Sequence, residues 1–169
     1  MIFERRFIYF PVRYPSGDWP RAAAPDRSIQ PFPHVEDVWF ETDDGVRLHG
    51  WYCTPCRAVD GVDQTIPTEG VLLYLHGNAG NISHRYDQIH LLMFLGVCVF
   101  IIDYRGYGRS EGRPSEKGLY LDARAAWSRL TESRRIDPGN IVVFGNSLGG
   151  AVAIDLTSVG GAAPRAVCA

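Results

Sequence analysis

No apolar run in the 169 residues approaches the roughly 20 needed to cross a bilayer. The opening stretch "MIFERRFIYFPVRYPSGDW" has neither the apolar centre nor the small-residue cleavage site of a secretory leader. Charge of one sign is also lacking: 17 basic against 19 acidic residues leave a net charge of −2. That balance gives no general attraction for nucleic acid or an anionic membrane. Cysteines number four, and no second ligand pair accompanies Cys53-Thr-Pro-Cys56 to make a zinc site. As a redox motif that C-x-x-C would have to open a helix after a strand; Pro55 and the polar residues beyond it point to a loop. Cys98, in the apolar "GVCVFIID", reads as packing. Internal repeats, low-complexity segments, metal-ligand clusters and cofactor motifs are missing as well. The last absence is local: beyond position 147 there is no histidine, and Asp155 is the only acid.

What is present fits one globular domain, with 46% apolar and 21% charged residues. Residues 1–34, rich in proline and aromatics, show no steady period and read as an irregular arm; the domain proper spans 35–169. "VEDVWFET" (35–42) and "VRLHGWYC" (46–53) predict two strands joined by Asp44-Gly45, a strong hairpin signal. Residues 54–69 read as a polar connection. "GVLLYLHG" (70–77), "VCVFIID" (97–103) and "IVVFG" (141–145) are continuous apolar runs, as expected of strands buried on both faces. Helices are expected between them: roughly 84–95, with Ser83 as N-cap and Gly96 as the stop, and about 115–131, with Leu119, Ala123, Ala126, Trp127 and Leu130 on one face. Another helix is expected from near Ser147 to about Thr157. The alternation predicts an α/β fold, a mostly parallel sheet flanked by helices and preceded by an antiparallel hairpin.

The stretch Gly145-Asn146-Ser147-Leu148-Gly149-Gly150 joins a β-branched strand to a helical pattern. A serine hydroxyl attacks only when it is exposed, oriented and deprotonated by a neighbour. A sharp strand-to-helix turn provides the first two. It requires small residues two before and two after, which Gly145 and Gly149 supply, while Gly150 would let helix and strand approach closely. Ser147 would then stand at the positive end of its helix, with the Leu148 N–H aimed where an oxyanion forms. "LHGNAGN" (75–81) follows the first buried strand. If the two strands are sheet neighbours, Gly77 and Asn78 lie beside the elbow and the Asn78 N–H becomes a second donor. His76 reads as a brace for that loop rather than as a base. A phosphate-loop reading of "GNSLGG" fails on spacing, which is not G-x-G-x-x-G.

Together "LHGNAGN", "DYRGYGRSEG", "DPGNIVVFGNSLGG" and "FIYFPVRYPSGDW" resemble the α/β-hydrolase superfamily over about residues 5–158. The branch they are similar to is the single-domain serine hydrolases with an HGNAGN loop, serine aminopeptidase-like or dienelactone hydrolase-like. The resemblance implies Ser147 as nucleophile and Asn78 and Leu148 as oxyanion donors. It implies a largely structural loop at Asp103, Tyr104, Arg105, Gly106 and Gly108. It also implies a small-molecule acyl substrate (an ester, thioester or small amide) and no cofactor or metal. A cytoplasmic or peripheral-membrane location is expected, since relatives often carry a membrane anchor ahead of the segment matching "RRFIYFP".

The family order of serine, acid, histidine is not met after Ser147. Asp155 falls about two turns along the same helix, some 12 Å of rise away. His34, His49, His76, His84 and His90 all precede the elbow. The expectation is therefore an N-terminal part of the hydrolase fold, its tail "RAVCA" opening a further strand, with 141–145 as an exposed apolar edge. It would be weakly active or inactive alone. The alternative is a non-enzymatic fragment or binding module that keeps half of the fold.

Overall fold

A computed structural model describes residues 8–169; the part of the expected arm and of the resemblance that falls on residues 1–7 lies outside them. A short helix, α1 (Trp19–Ala23), precedes an antiparallel pair, β1 (Phe32–Glu41) and β2 (Arg47–Val59), and β2 turns back into β3 (Val62–Thr65). Then come β4 (Val71–Leu75), α2 (Tyr86–Met93), β5 (Cys98–Asp103), α3 (Glu116–Ser128), β6 (Ile141–Gly145), α4 (Leu148–Ser158) and β7 (Ala166–Cys168). The sheet runs β1-β2-β5-β4-β6-β7, with β3 paired to β2 off that path. β5, β4, β6 and β7 are mutually parallel, and β2 meets β5 antiparallel.

The unbroken apolar runs follow from burial on both faces. Val71, Leu73 and Leu75 of β4, with Phe100 and Ile102 of β5, pack under Leu119, Ala123 and Ala126 of α3 and Val152, Ala153 and Leu156 of α4. Their neighbours Leu72, Tyr74, Val99 and Ile101 point the other way, toward Ile89 and Met93 of α2, Trp19 of α1 and Trp51 of β2. On that second face β6 is only half covered: Val142 and Phe144 are partly exposed while Ile141 and Val143 are buried.

Five expectations are corrected. Cys53-Thr-Pro-Cys56 lies within β2 rather than in a loop, and Cys53 and Cys56 are both buried. Pro55 is tolerated there because it sits opposite Pro33 of β1, a pair in which neither residue is asked to donate. The connection over 54–69 is thus partly strand, in β2 and β3. The helix after β4 begins as a 3₁₀ turn at Ile82–Arg85 capped by Asn81, not Ser83. Asn81 wins because its Oδ1 accepts both the Ser83 N–H (3.0 Å) and the Ser83 hydroxyl (2.6 Å). Within residues 1–34, Trp19–Ala23 is helical, Trp19 and Phe32 are buried, and β1 already starts at Phe32. Finally, β6 is not the edge: "RAVCA" supplies β7, which pairs with Val142, Val143 and Phe144.

Candidate active site

β4 and β6 are adjacent, with Leu75 opposite Gly145, so the loops leaving their C-terminal ends emerge side by side. The chain reverses sharply at Ser147, whose φ of 54° and ψ of −115° fall outside ordinary strand and helix values. The turn is enforced from both sides. Asn146 N–H donates to Leu75 O (3.0 Å), and Gly149 N–H returns to Asn146 O (2.9 Å). A Cβ on Gly149 would overlap the Leu75 carbonyl, and one on Gly145 would overlap the Gly149 carbonyl and sit 2.6 Å from the Gly150 Cα. Gly150 is different: an added Cβ meets only ordinary contact with Ala169 at 3.6 Å, so close packing does not require glycine there.

Ser147 is exposed and its hydroxyl makes no capping hydrogen bond. It stands at the N-terminal, positive end of α4. The Gly77 position is close by: a Cβ built on it would lie 3.6 Å from the Ser147 Cβ. The backbone N–H groups of Leu148, next after Ser147, and of Asn78, next after Gly77, find no acceptor among the described residues.

The loop carrying Asn78 is braced from beneath. His76 is buried, and its Nδ1–H donates to the Gly77 carbonyl at 2.7 Å. Because a trans peptide sets N–H opposite C=O, drawing the Gly77 carbonyl inward turns the Asn78 N–H outward. Burial lowers the His76 pKa to about 4, so the ring is neutral, and it packs against Tyr104 and Tyr107 at 4.6 and 5.5 Å. Its Nε2 has no hydrogen-bond partner among the described residues.

The other histidines are committed elsewhere. His49 is buried, with Nε2 2.7 Å from Asp37 and Nδ1 3.4 Å from Asp103. His84 accepts the Asn81 N–H, His90 lies against the Pro31 carbonyl, and His34 is exposed on β1. Asp103 is fully buried and also takes the Ile82 N–H at 3.0 Å. Asp155 is held by Arg124 at 2.9 Å. Among the described residues no histidine hydrogen-bonds Ser147.

One set of residues at this site was not foreseen. The Asn78 carbonyl accepts the Phe10 N–H (3.0 Å) and the Tyr107 hydroxyl (2.8 Å), and Asn78 Nδ2 donates to Ile8 O (2.9 Å). The aromatic "FIYFP" was the available signal, but nothing in its pattern points to a partner 70 residues away.

Comparison with known proteins agrees with this geometry. Residues 72–169 match the alpha/beta hydrolase family, a stretch that holds the loops after β4 and β6 and the strands beneath them. The chain belongs to the alpha/beta hydrolase family. It is 40% identical over 157 residues to the alpha/beta hydrolase domain-containing protein WAV2 of Arabidopsis thaliana, covering 92% of this chain and 47% of that one. It is 36% identical over 157 residues to the protein bem46 of Schizosaccharomyces pombe, covering 92% and 49%. Among solved structures it is similar to an alpha-beta hydrolase from Vibrio vulnificus (TM-score 0.64, 31% identity, 79% of this chain and 44% of that one). It is also similar to the Pyrococcus furiosus esterase Pf2001 (TM-score 0.61, 26% identity, 89% and 54%). The chain spans about half the length of the curated relatives it matches. Among the described residues no helix is long and apolar enough to cross a membrane.

Proposed function

We propose that the chain is the nucleophile-bearing half of a serine hydrolase acting on an ester, thioester or small amide. The observation that carries this is the exposed Ser147 in a left-handed backbone conformation beside the Gly77 position, with the Asn78 and Leu148 amides lacking an acceptor among the described residues. Ser147 Oγ adds to the substrate carbonyl while a base takes its proton. The two amides receive the negative charge that gathers on the carbonyl oxygen. The C–O, C–S or C–N bond then breaks, the leaving group departs protonated, and water releases the acid from the acyl-enzyme. The esterase among the similar structures supports this substrate class.

No histidine hydrogen-bonds Ser147 among the described residues, so in this reading the base is supplied by a group outside them. With oxyanion stabilisation alone, acceleration over water is limited to on the order of 10³–10⁴. That no histidine pairs with Ser147 among the described residues also favours a second reading, a non-catalytic module that retains the half-fold. Chemical rescue separates the two. Because Ser147 is open to solvent, added imidazole can act as the missing base. The proposal expects p-nitrophenyl butyrate hydrolysis that rises with imidazole concentration above the buffer reaction and disappears in Ser147→Ala. Equal imidazole dependence in both proteins supports the non-catalytic reading.

A further inference from the structure

Resting on the serine-hydrolase reading, we propose that residues 8–14 are part of the active site. In this view their backbone positions the Asn78 oxyanion donor, and the Phe10 side chain bounds the ground where an apolar acyl or alkyl group of the substrate lies.

The arm is zipped to the oxyanion loop. Phe10 and Pro11 pair in parallel with Ala79 and Gly80. Val12 N–H donates to Gly80 O at 2.9 Å, and Val12 O in turn accepts from Asn81 Nδ2 and the Gly108 N–H, both at 3.0 Å. Tyr14 N–H continues the seam to Gly108 O at 2.9 Å. Asn78 is thereby held at two polar atoms: its carbonyl accepts from Phe10 and Tyr107, and its Nδ2 donates to Ile8. A surface loop with that many anchors is more than a strand exit needs, and its backbone N–H, which has no acceptor among the described residues, is the group the reaction would use.

The side chains carry the second half of the argument. Ile8 and Phe10 are 45% and 51% exposed although each lies within one or two residues' reach of Asn78 along the paired backbone. Tyr9 between them packs against the core instead. Phe10 stands in register with Ala79, itself exposed, one residue beyond the donor. An exposed aromatic paired with the residue that follows Asn78 offers an apolar surface for the part of the substrate flanking the carbonyl.

Phosphonylation of Ser147 by ethyl and octyl fluorophosphonates, followed by intact mass, tests both halves. In that step the serine oxygen bonds to phosphorus and fluoride leaves as HF. Phe10→Ala keeps the N–H and removes the ring. The octyl-to-ethyl rate ratio should drop about tenfold, and Phe10→Leu should restore most of it. Phe10→Pro removes the N–H that holds the Asn78 carbonyl, and Pro is compatible with this two-residue ribbon. The ethyl rate should fall about tenfold, a fraction of the roughly 10²–10³ lost with a whole oxyanion donor, and the octyl rate further because the ring is lost as well. An unchanged ratio in Phe10→Ala, or an unchanged ethyl rate in Phe10→Pro, overturns the proposal. If the wild type resists both probes even with imidazole, the hydrolase reading fails instead. The positioning claim then stands or falls on amide exchange at Asn78, Ala79 and Gly80, which should quicken in Phe10→Pro and not in Phe10→Ala.

Discussion

Replacing Ser147 by glycine should make the protein more stable, an unusual outcome for glycine at the start of a helix. A non-glycine residue held at φ 54°, ψ −115° is strained, and such positions cost about 1–3 kcal/mol. Glycine adopts the same backbone without that cost but loses about 0.5–1 kcal/mol through the greater freedom of its unfolded chain. The hydroxyl makes no capping bond whose loss must be counted. The expected net gain is therefore about 0.5–2 kcal/mol over wild type. Ser147→Ala keeps the Cβ, keeps the strain and should change little. Urea unfolding followed by tryptophan fluorescence reads the difference. At a slope of about 2 kcal/mol/M, the glycine variant's midpoint should exceed that of the alanine variant by roughly 0.3–1 M. Midpoints in the reverse order, or equal ones, would mean that no strain is stored at the turn and would remove the physical basis for the elbow.

Three further outcomes follow from the geometry. Gly149→Ala places a methyl on the Leu75 carbonyl, where backbone rather than a side chain must yield; a loss of about 3 kcal/mol or more, or insoluble protein, is expected in thermal unfolding. His76 binds its proton less readily folded, at about 4, than unfolded. Its contribution is thus complete above the ordinary histidine value near 6.5 and is lost as pH falls toward 4, by about 3 kcal/mol in all; His76→Asn should flatten the pH dependence of the urea midpoint across that window. Arg105 binds buried Asp122 through Nε and its backbone N–H, both at 2.8 Å, and reaches Asp44 with its remaining nitrogens. Arg105→Met strands the Asp122 carboxyl and should cost about 3–5 kcal/mol by calorimetry, whereas Asp122→Asn should cost clearly less.

The sheet was legible where burial writes itself as an unbroken apolar run: β5 and β6 lie within a residue of their expected bounds, and β4 ends two residues short of its expected end. The elbow was legible because its glycines answer to local sterics, which Gly145 and Gly149 show, and Gly150 was overread because a second glycine need not serve the same contact. What escaped depended on distant partners. Pro55 looked like a strand breaker until Pro33 was found opposite it. Ser83 was a sound N-cap by type, but Asn81 reaches two donors at once. The pairing of Phe10 and Pro11 with Ala79 and Gly80 joins segments nearly 70 residues apart, and no local period could announce it.

The most direct test of the account is to map the adduct left by an alkyl fluorophosphonate in the presence of imidazole, by peptide mass spectrometry. The account predicts a single modified residue, Ser147, accumulating faster as imidazole is raised and absent from Ser147→Ala. Modification of another residue at the same rate in both proteins, or no adduct on Ser147 at any imidazole concentration in folded protein, would contradict it.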